Sequence, residues 1–110
     1  MDLVRLFYLV WRCALLLAGS VAVLALEPKP VFNKNCAPCH GKDGKAQTPI
    51  ARKLGVKDLT KSKLSDQEIE RQIREGRKGA DGKLQMPSFK ETLTAEEVKV
   101  LIPFVKEFRK

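Results

Sequence analysis

Two cysteines three positions apart, with a histidine directly after the second, form the most chemically informative segment of the chain. They are Cys36, Cys39 and His40, in the sequence C-A-P-C-H. This is the spacing of covalent haem attachment, in which each thiol adds to one vinyl group of the porphyrin and the imidazole binds the iron. The motif predicts one covalently attached haem c with His40 as the proximal axial ligand.

A zinc or dithiol site is the alternative chemistry for the same motif. Structural zinc takes four nitrogen or sulfur ligands, commonly from a second pair of cysteines or histidines. His40 is the only histidine, and the one other cysteine is Cys13, in an apolar N-terminal segment. The strand-to-helix context of a thioredoxin-type motif is not apparent in the sequence either. Haem attachment is therefore the favoured interpretation.

The second axial ligand of the iron has one sulfur candidate. Apart from Met1, Met86 is the only methionine. Pro87 restricts the backbone of Met86 to extended conformations, which would help the side chain to project from a loop. Histidine and methionine are the usual ligand pair of cytochromes c and raise the reduction potential. The alternatives are a methionine that only fills the core, a lysine ligand, or an open distal site.

Residues 1–25 have the features of a segment that directs export. Arg5 and Arg12 precede an apolar block, 13–26, that no charge interrupts, and Ala22 and Ala25 end small-residue cleavage sites. We predict a signal peptide at 1–25 and a periplasmic domain at 26–110. An uncleaved membrane anchor is the alternative, although Arg12 would then be costly inside a bilayer. An exported, oxidising location suits covalent haem attachment.

Two helices have clear start signals. Ser65 with Glu68, and Thr94 with Glu97, are predicted capping boxes at the starts of a helix over 65–75 and of the last helix. Pro103 predicts a kink or a break in the last helix, because proline removes a helix hydrogen bond. A short first helix is predicted over 30–36, and 77–93 is predicted to be a long irregular loop without a strand pattern. A domain this small needs stabilisation beyond its own hydrophobic core, and a bound haem would provide it.

The chain is basic, with a formal net charge of +8 and only 6% aromatic residues. This combination gives little support to nucleic-acid binding. Several lysines flank the two ligand-bearing segments and would steer an acidic redox partner; an ordinary solvated surface is the alternative. They are Lys42, Lys45, Lys78, Lys83 and Lys90.

The motifs together resemble those of class I monohaem c-type cytochromes, in particular the small bacterial proteins of the soluble or cytochrome-oxidase-associated type. The resemblance covers most of residues 32–105, through F-x-x-x-C-x-x-C-H-G, T-P, M-P-x-F, L-T-x-E-E and L-x-x-F-V. It implies an all-α cytochrome c fold of about three to five short helices around one haem. The first and last helices are expected to cross at Phe32, Leu101 and Phe104. A proline carbonyl, with Pro49 as the candidate, is expected to orient the proximal histidine.

This resemblance implies single-electron transfer and no catalysis, by a monomer with periplasmic partners. The donor would be a dehydrogenase or another cytochrome, and the acceptor a terminal oxidase. Two rival functions remain at this point. One is a haem sensor or peroxidase-like protein with an open distal site, and the other is a haem subunit that an uncleaved N-terminus anchors to a respiratory complex.

Overall fold

The part of the chain that the computed structural model describes, residues 3–5 and 26–110, is mainly helical. Within it lie the α-helices α1 (Pro28–Asn35), α2 (Ala37–His40), α3 (Pro49–Leu54), α4 (Asp66–Glu75) and α5 (Ala95–Lys106), and 3₁₀ helices at Leu59–Lys61 and Glu107–Arg109. The predicted all-α fold is confirmed. The predicted signal peptide falls outside this part except for 3–5. No helix within the described ranges is long and apolar enough to cross a bilayer.

Both predicted capping boxes are present. At the start of α4, the Glu68 N–H donates to Ser65 Oγ (3.2 Å), and the Ser65 N–H donates to Glu68 Oε2 (2.7 Å). At the start of α5, Thr94 and Glu97 form the same reciprocal pair at 3.1 and 3.0 Å. Each pair provides partners for backbone N–H groups that the first helical turn leaves free. These two helix starts are therefore set by the local sequence.

The first and last helices cross where the resemblance predicts. Phe32 of α1 and Leu101 of α5 are fully buried. The ring centroid of Phe32 lies 5.2 Å from that of Phe104 and 5.2 Å from that of Phe108. Helix α1 begins at Pro28, two residues earlier than predicted, because the first turn of a helix tolerates proline. This aromatic cluster joins the two ends of the domain.

Helix α5 continues through Pro103 as one helix, so the predicted break does not occur. Pro103 cannot donate a hydrogen bond to the Lys99 carbonyl one turn earlier. Both residues are exposed, so water can bond that carbonyl. The solvent-facing position explains why the helix tolerates the proline.

The prediction of an irregular loop over 77–93 is wrong in its first half. Strands β1 (Arg77–Lys78) and β2 (Leu84–Met86) form an antiparallel hairpin in which Arg77 pairs with Met86 and Lys78 with Leu84. The pairing is irregular between Arg77 and Lys78. Strands of two and three residues are too short to show the alternation by which a strand is recognised in a sequence. The hairpin follows α4 and places Met86 at the end of its second strand.

Candidate haem site

The cysteine–histidine motif forms a second helical turn directly after α1. The Cys36 N–H donates to the Phe32 carbonyl (2.8 Å), and the His40 N–H donates to the Cys36 carbonyl (2.9 Å). Cys36 and His40 are four residues apart and so lie on the same side of the helical backbone. Gly41, with φ of 79°, ends the turn. The motif is therefore continuous with the helix whose Phe32 anchors the core.

A mainly apolar cavity of about 610 Å³ has Cys36, His40 and Met86 in its wall. A volume of this order is typical of sites for organic ligands of cofactor size, roughly 300–1,000 Å³. A smaller cavity of about 90 Å³ shares these three residues and adds Cys39. The fold thus brings together the four residues that the sequence predicts for haem attachment and iron ligation. Apolar side chains from several elements complete the larger wall: Leu59, Leu64, Ile69, Ile73, Leu101 and Val105.

The His40 ring is oriented by a backbone carbonyl. Its Nδ1 lies 2.9 Å from the Lys57 carbonyl oxygen, and a carbonyl only accepts, so Nδ1 carries the proton. Burial lowers the pKa of His40, although the bond to Lys57 opposes that shift. A neutral imidazole with its proton on Nδ1 has the lone pair of Nε2 available for a metal.

The expectation that the Pro49 carbonyl orients His40 is corrected, because Lys57 supplies that carbonyl. Pro49 is the first residue of α3, where backbone carbonyls point along the helix towards later residues. Its neighbour Thr48 connects this loop to the motif instead. Thr48 Oγ1 donates to the Cys39 carbonyl (2.7 Å) and accepts from the Ala51 N–H (3.0 Å). One hydroxyl therefore caps α3 and fixes the cysteine segment.

No disulfide joins Cys36 to Cys39. Burial, followed by the nearby Cys39, raises the pKa of Cys36 to about 11. Cysteines in thiol-exchange motifs have the opposite property, a lowered pKa that exposes a reactive thiolate. The environment of Cys36 therefore disfavours the dithiol-exchange interpretation of the motif.

Arg109 brings a polar group to the otherwise apolar cavity. Its Nη2–H donates to the Leu64 carbonyl (2.8 Å), while its buried Nε has no hydrogen-bond partner within 26–110. A buried guanidinium N–H without a partner is costly, and an anionic group in the cavity would satisfy it. Haem carries two propionate carboxylates, so the site fits haem through its thiols, its two iron-ligand candidates and this N–H group.

Some residues of this site carry no recognisable sequence signal. The Lys57 carbonyl is a backbone group that any residue would provide. Arg109 lies in a short 3₁₀ helix at the end of the described chain, outside any motif. In contrast, Ile69 and Ile73 form the apolar stripe that the sequence of α4 already indicates, and both face the cavity. Motif residues and apolar faces are thus recognisable in the sequence, whereas a backbone contact such as that of Lys57 and a side chain outside any motif such as Arg109 are not.

A helical domain folded around an apolar cavity, with the C-A-P-C-H motif and a methionine in its wall, defines a c-type cytochrome. A family model described as cytochrome c oxidase, cbb3-type, subunit III matches residues 24–105, and the chain belongs to this family.

A solved structure, that of the KustC0563 c-type cytochrome, is 36% identical, with a TM-score of 0.65 over 77% of this chain and 100% of that chain. The curated proteins contain no match. The predicted resemblance is confirmed, and family membership implies covalently bound haem c and haem-based electron transfer.

Proposed function

We propose that the chain is a periplasmic single-electron carrier with one haem c, attached through Cys36 and Cys39 and ligated by His40 and Met86. The proposal rests above all on one observation: the only histidine of the chain and its only methionine beyond Met1 both lie in the wall of one cavity. They come from separate segments, α2 and β2. Nothing in helix or hairpin formation alone requires these two side chains to converge.

The protein residues hold the cofactor in a fixed geometry. When bound, haem c supplies a ferric/ferrous couple that gains and loses one electron. Cys36 and Cys39 would provide the thioether links, and His40 would bind through Nε2, since its Nδ1–H donates to Lys57. Met86 would bind through its thioether sulfur, which favours a raised reduction potential. Arg109 would donate to a propionate through its free Nε–H.

Lysines at the cavity indicate the kind of redox partner. Lys57, Lys61 and Lys63 belong to the cavity wall and are exposed to solvent. The salt bridges among residues 26–110 join other side chains: Arg74 to Glu70, Lys106 to Asp66, and Lys110 to Glu107. A partner with an acidic surface would therefore be attracted to the cavity mouth, at a rate that falls as salt is raised.

The test is the visible spectrum of the holoprotein and of its Met86→Ala variant. We expect one haem per chain, and a sulfur-to-iron charge-transfer band in the oxidised wild type that the variant lacks. The variant should also bind carbon monoxide in its reduced form, because its distal position is open. A wild type that lacks the band and binds carbon monoxide readily would contradict the proposal and favour the haem sensor or peroxidase-like alternative.

A second candidate function follows from the family description, which names an oxidase subunit. In this second function, residues 1–25 are not cleaved, and they anchor the domain to the membrane as a haem subunit of a respiratory complex. The intact mass of the exported protein distinguishes the two versions. A mass that lacks about 25 residues, as expected for a cleaved signal peptide, supports the free carrier; the full mass supports the anchored subunit.

A further inference from the structure

The backbone of the Met86 segment lies against the end of helix α4 at one glycine. Gly76 caps α4 with φ of 76°. A Cβ atom at this position would lie 2.5 Å from the Met86 carbonyl oxygen, 2.8 Å from the Pro87 carbonyl carbon and 2.8 Å from the Ser88 nitrogen. All three are backbone atoms, which cannot swing aside as the end of a side chain can. Any other residue at position 76 would therefore have to push this segment away.

The same segment also provides the hydrogen-bond partners for the end of α4. The last carbonyls of a helix have no partner within the helix. Here the Phe89 N–H donates to the Ile73 carbonyl (2.9 Å), and the Ser88 hydroxyl donates to the Arg74 carbonyl. The segment is thus docked on the helix end by specific hydrogen bonds, with Gly76 at the point of closest approach.

On the other side of Gly76, strand pairing fixes Met86 itself. Arg77, the next residue, pairs with Met86 across the hairpin. A shift of the Met86 backbone away from Gly76 would disturb this pairing and the two hydrogen bonds to the helix end. The position of the Met86 side chain in the cavity wall therefore depends on a glycine ten residues earlier in the sequence.

We infer that Gly76 is a positioning residue for the distal ligand: it lets the Met86 backbone approach α4 closely enough for the sulfur to stay on the iron. This inference rests on the proposed ligation by Met86. A side chain at position 76 would raise the fraction of molecules in which the sulfur has left the iron. The tendency of Met86 to dissociate, and with it the reduction potential, is then set in part by the packing at Gly76.

Gly82 provides a control for the effect of a side chain at positive φ. Its φ is 78°, so alanine there also takes a positive φ that side chains disfavour, but a Cβ would meet no atom within 4 Å. The variants Gly76→Ala and Gly82→Ala therefore both place a side chain at a positive φ, and Gly76→Ala alone adds a clash with backbone atoms. Both are compared with wild type by imidazole titration of the oxidised holoprotein, by the sulfur-to-iron band, and by the reduction potential.

For Gly76→Ala we expect a weaker band, a lower reduction potential and apparent imidazole affinity about tenfold higher, as follows if the sulfur-dissociated fraction rises from about 1% to about 10%. Gly82→Ala should stay close to wild type in all three measurements. Equal behaviour of the two variants would overturn the inference. If Gly76→Ala yields no folded holoprotein, Ser88→Ala decides: imidazole affinity above that of Gly82→Ala supports the inference, and equal affinity overturns it.

Failure of the underlying proposal gives a different result. A wild type without the band would show that Met86 is not the ligand, whatever the variants do. A wild type with the band and indistinguishable glycine variants would leave the ligation intact and remove only the role of Gly76.

Discussion

The two segments proposed to meet the haem iron are held by different kinds of structure. The proximal segment, 36–40, continues helix α1 and is tied to the core through Phe32, with Ala37 buried beside it. The distal segment ends a hairpin strand in which Leu84 is 53% exposed, and it is attached to the end of α4 by backbone contacts and one serine hydroxyl.

This difference predicts which side opens first. Helices packed on a core open with the whole domain, whereas short exposed strands open locally at lower free energy. A two-stranded hairpin has little stability of its own. We therefore expect the distal ligand to exchange under conditions in which the proximal segment and the helical core remain intact.

Breaking the proximal attachment should have the largest effect. In Cys36→Ser/Cys39→Ser both thiols are absent, so haem should be removed by denaturing extraction and the holoprotein should lose most of its stability. The measurement is the haem left on the unfolded chain. Each single variant keeps one thiol and serves as the control, because it should retain haem. Haem that stays on the unfolded double variant would contradict the assignment.

Breaking the helix crossing should weaken both sides together. Phe32→Ala removes a fully buried ring, which typically lowers the free energy of unfolding by about 3–5 kcal/mol. Denaturant unfolding of the holoprotein measures this loss. Ile50→Ala, at a side chain that is 46% exposed, should change it by less than about 0.5 kcal/mol. Equal losses of unfolding free energy in the two variants would show that the helix crossing at Phe32 stabilises the fold no more than an exposed side chain does.

Thr48→Ala tests whether the proximal segment can be weakened without an effect on the distal segment. It removes both the cap of α3 and the bond to the Cys39 carbonyl, so we expect a loss of about 2 kcal/mol in stability. The affinity for imidazole, which reports distal opening, should not change. Thr48→Ser keeps the hydroxyl and should recover most of the stability. A rise in imidazole affinity in Thr48→Ala would mean that the two sides are coupled.

Acid should weaken the capping box at the start of α4, the helix to whose other end the distal segment is attached, with the smallest effect of the predictions. Hydrogen bonds between Glu68 and Ser65, mainly that from the Ser65 N–H, lower the pKa of Glu68 below its ordinary value of 4.5. A lowered pKa in the folded state means that this contribution to stability is present above pH 4.5 and is lost as the pH falls through the lowered value.

Unfolding measured from pH 6 downward should show this loss. In Glu68→Gln the amide oxygen can still accept from Ser65 but does not titrate, so the corresponding part of the pH dependence should disappear. Wild type and variant with the same pH dependence would contradict this role for Glu68.

The sequence predicted those parts of the fold that local chemistry determines. Ser65 and Thr94 start their helices as expected, because a capping box is complete within four residues. The residues predicted from the C-A-P-C-H motif, together with Met86, are the ones that the fold gathers around one cavity. The crossing at Phe32 came from the family resemblance, since no local pattern specifies which helices pack together.

Features that depend on tertiary contacts were not predictable. The hairpin is too short for its alternation to be recognised, and the Lys57 carbonyl that replaces Pro49 has no sequence signal. The continuous helix at Pro103 depends on the exposure of that face to water. Gly76 could be predicted to end α4, but its contact with the Met86 backbone is visible only once the hairpin is in place.

Iron K-edge X-ray absorption of the oxidised holoprotein tests the central claim most directly, because it reports which atoms bind the iron. We predict a sulfur ligand together with nitrogen ligands in the wild type, and loss of the sulfur in Met86→Ala. An iron without a sulfur ligand in the wild type, or a sulfur signal that persists in Met86→Ala, would contradict the assignment of His40 and Met86 as the axial pair.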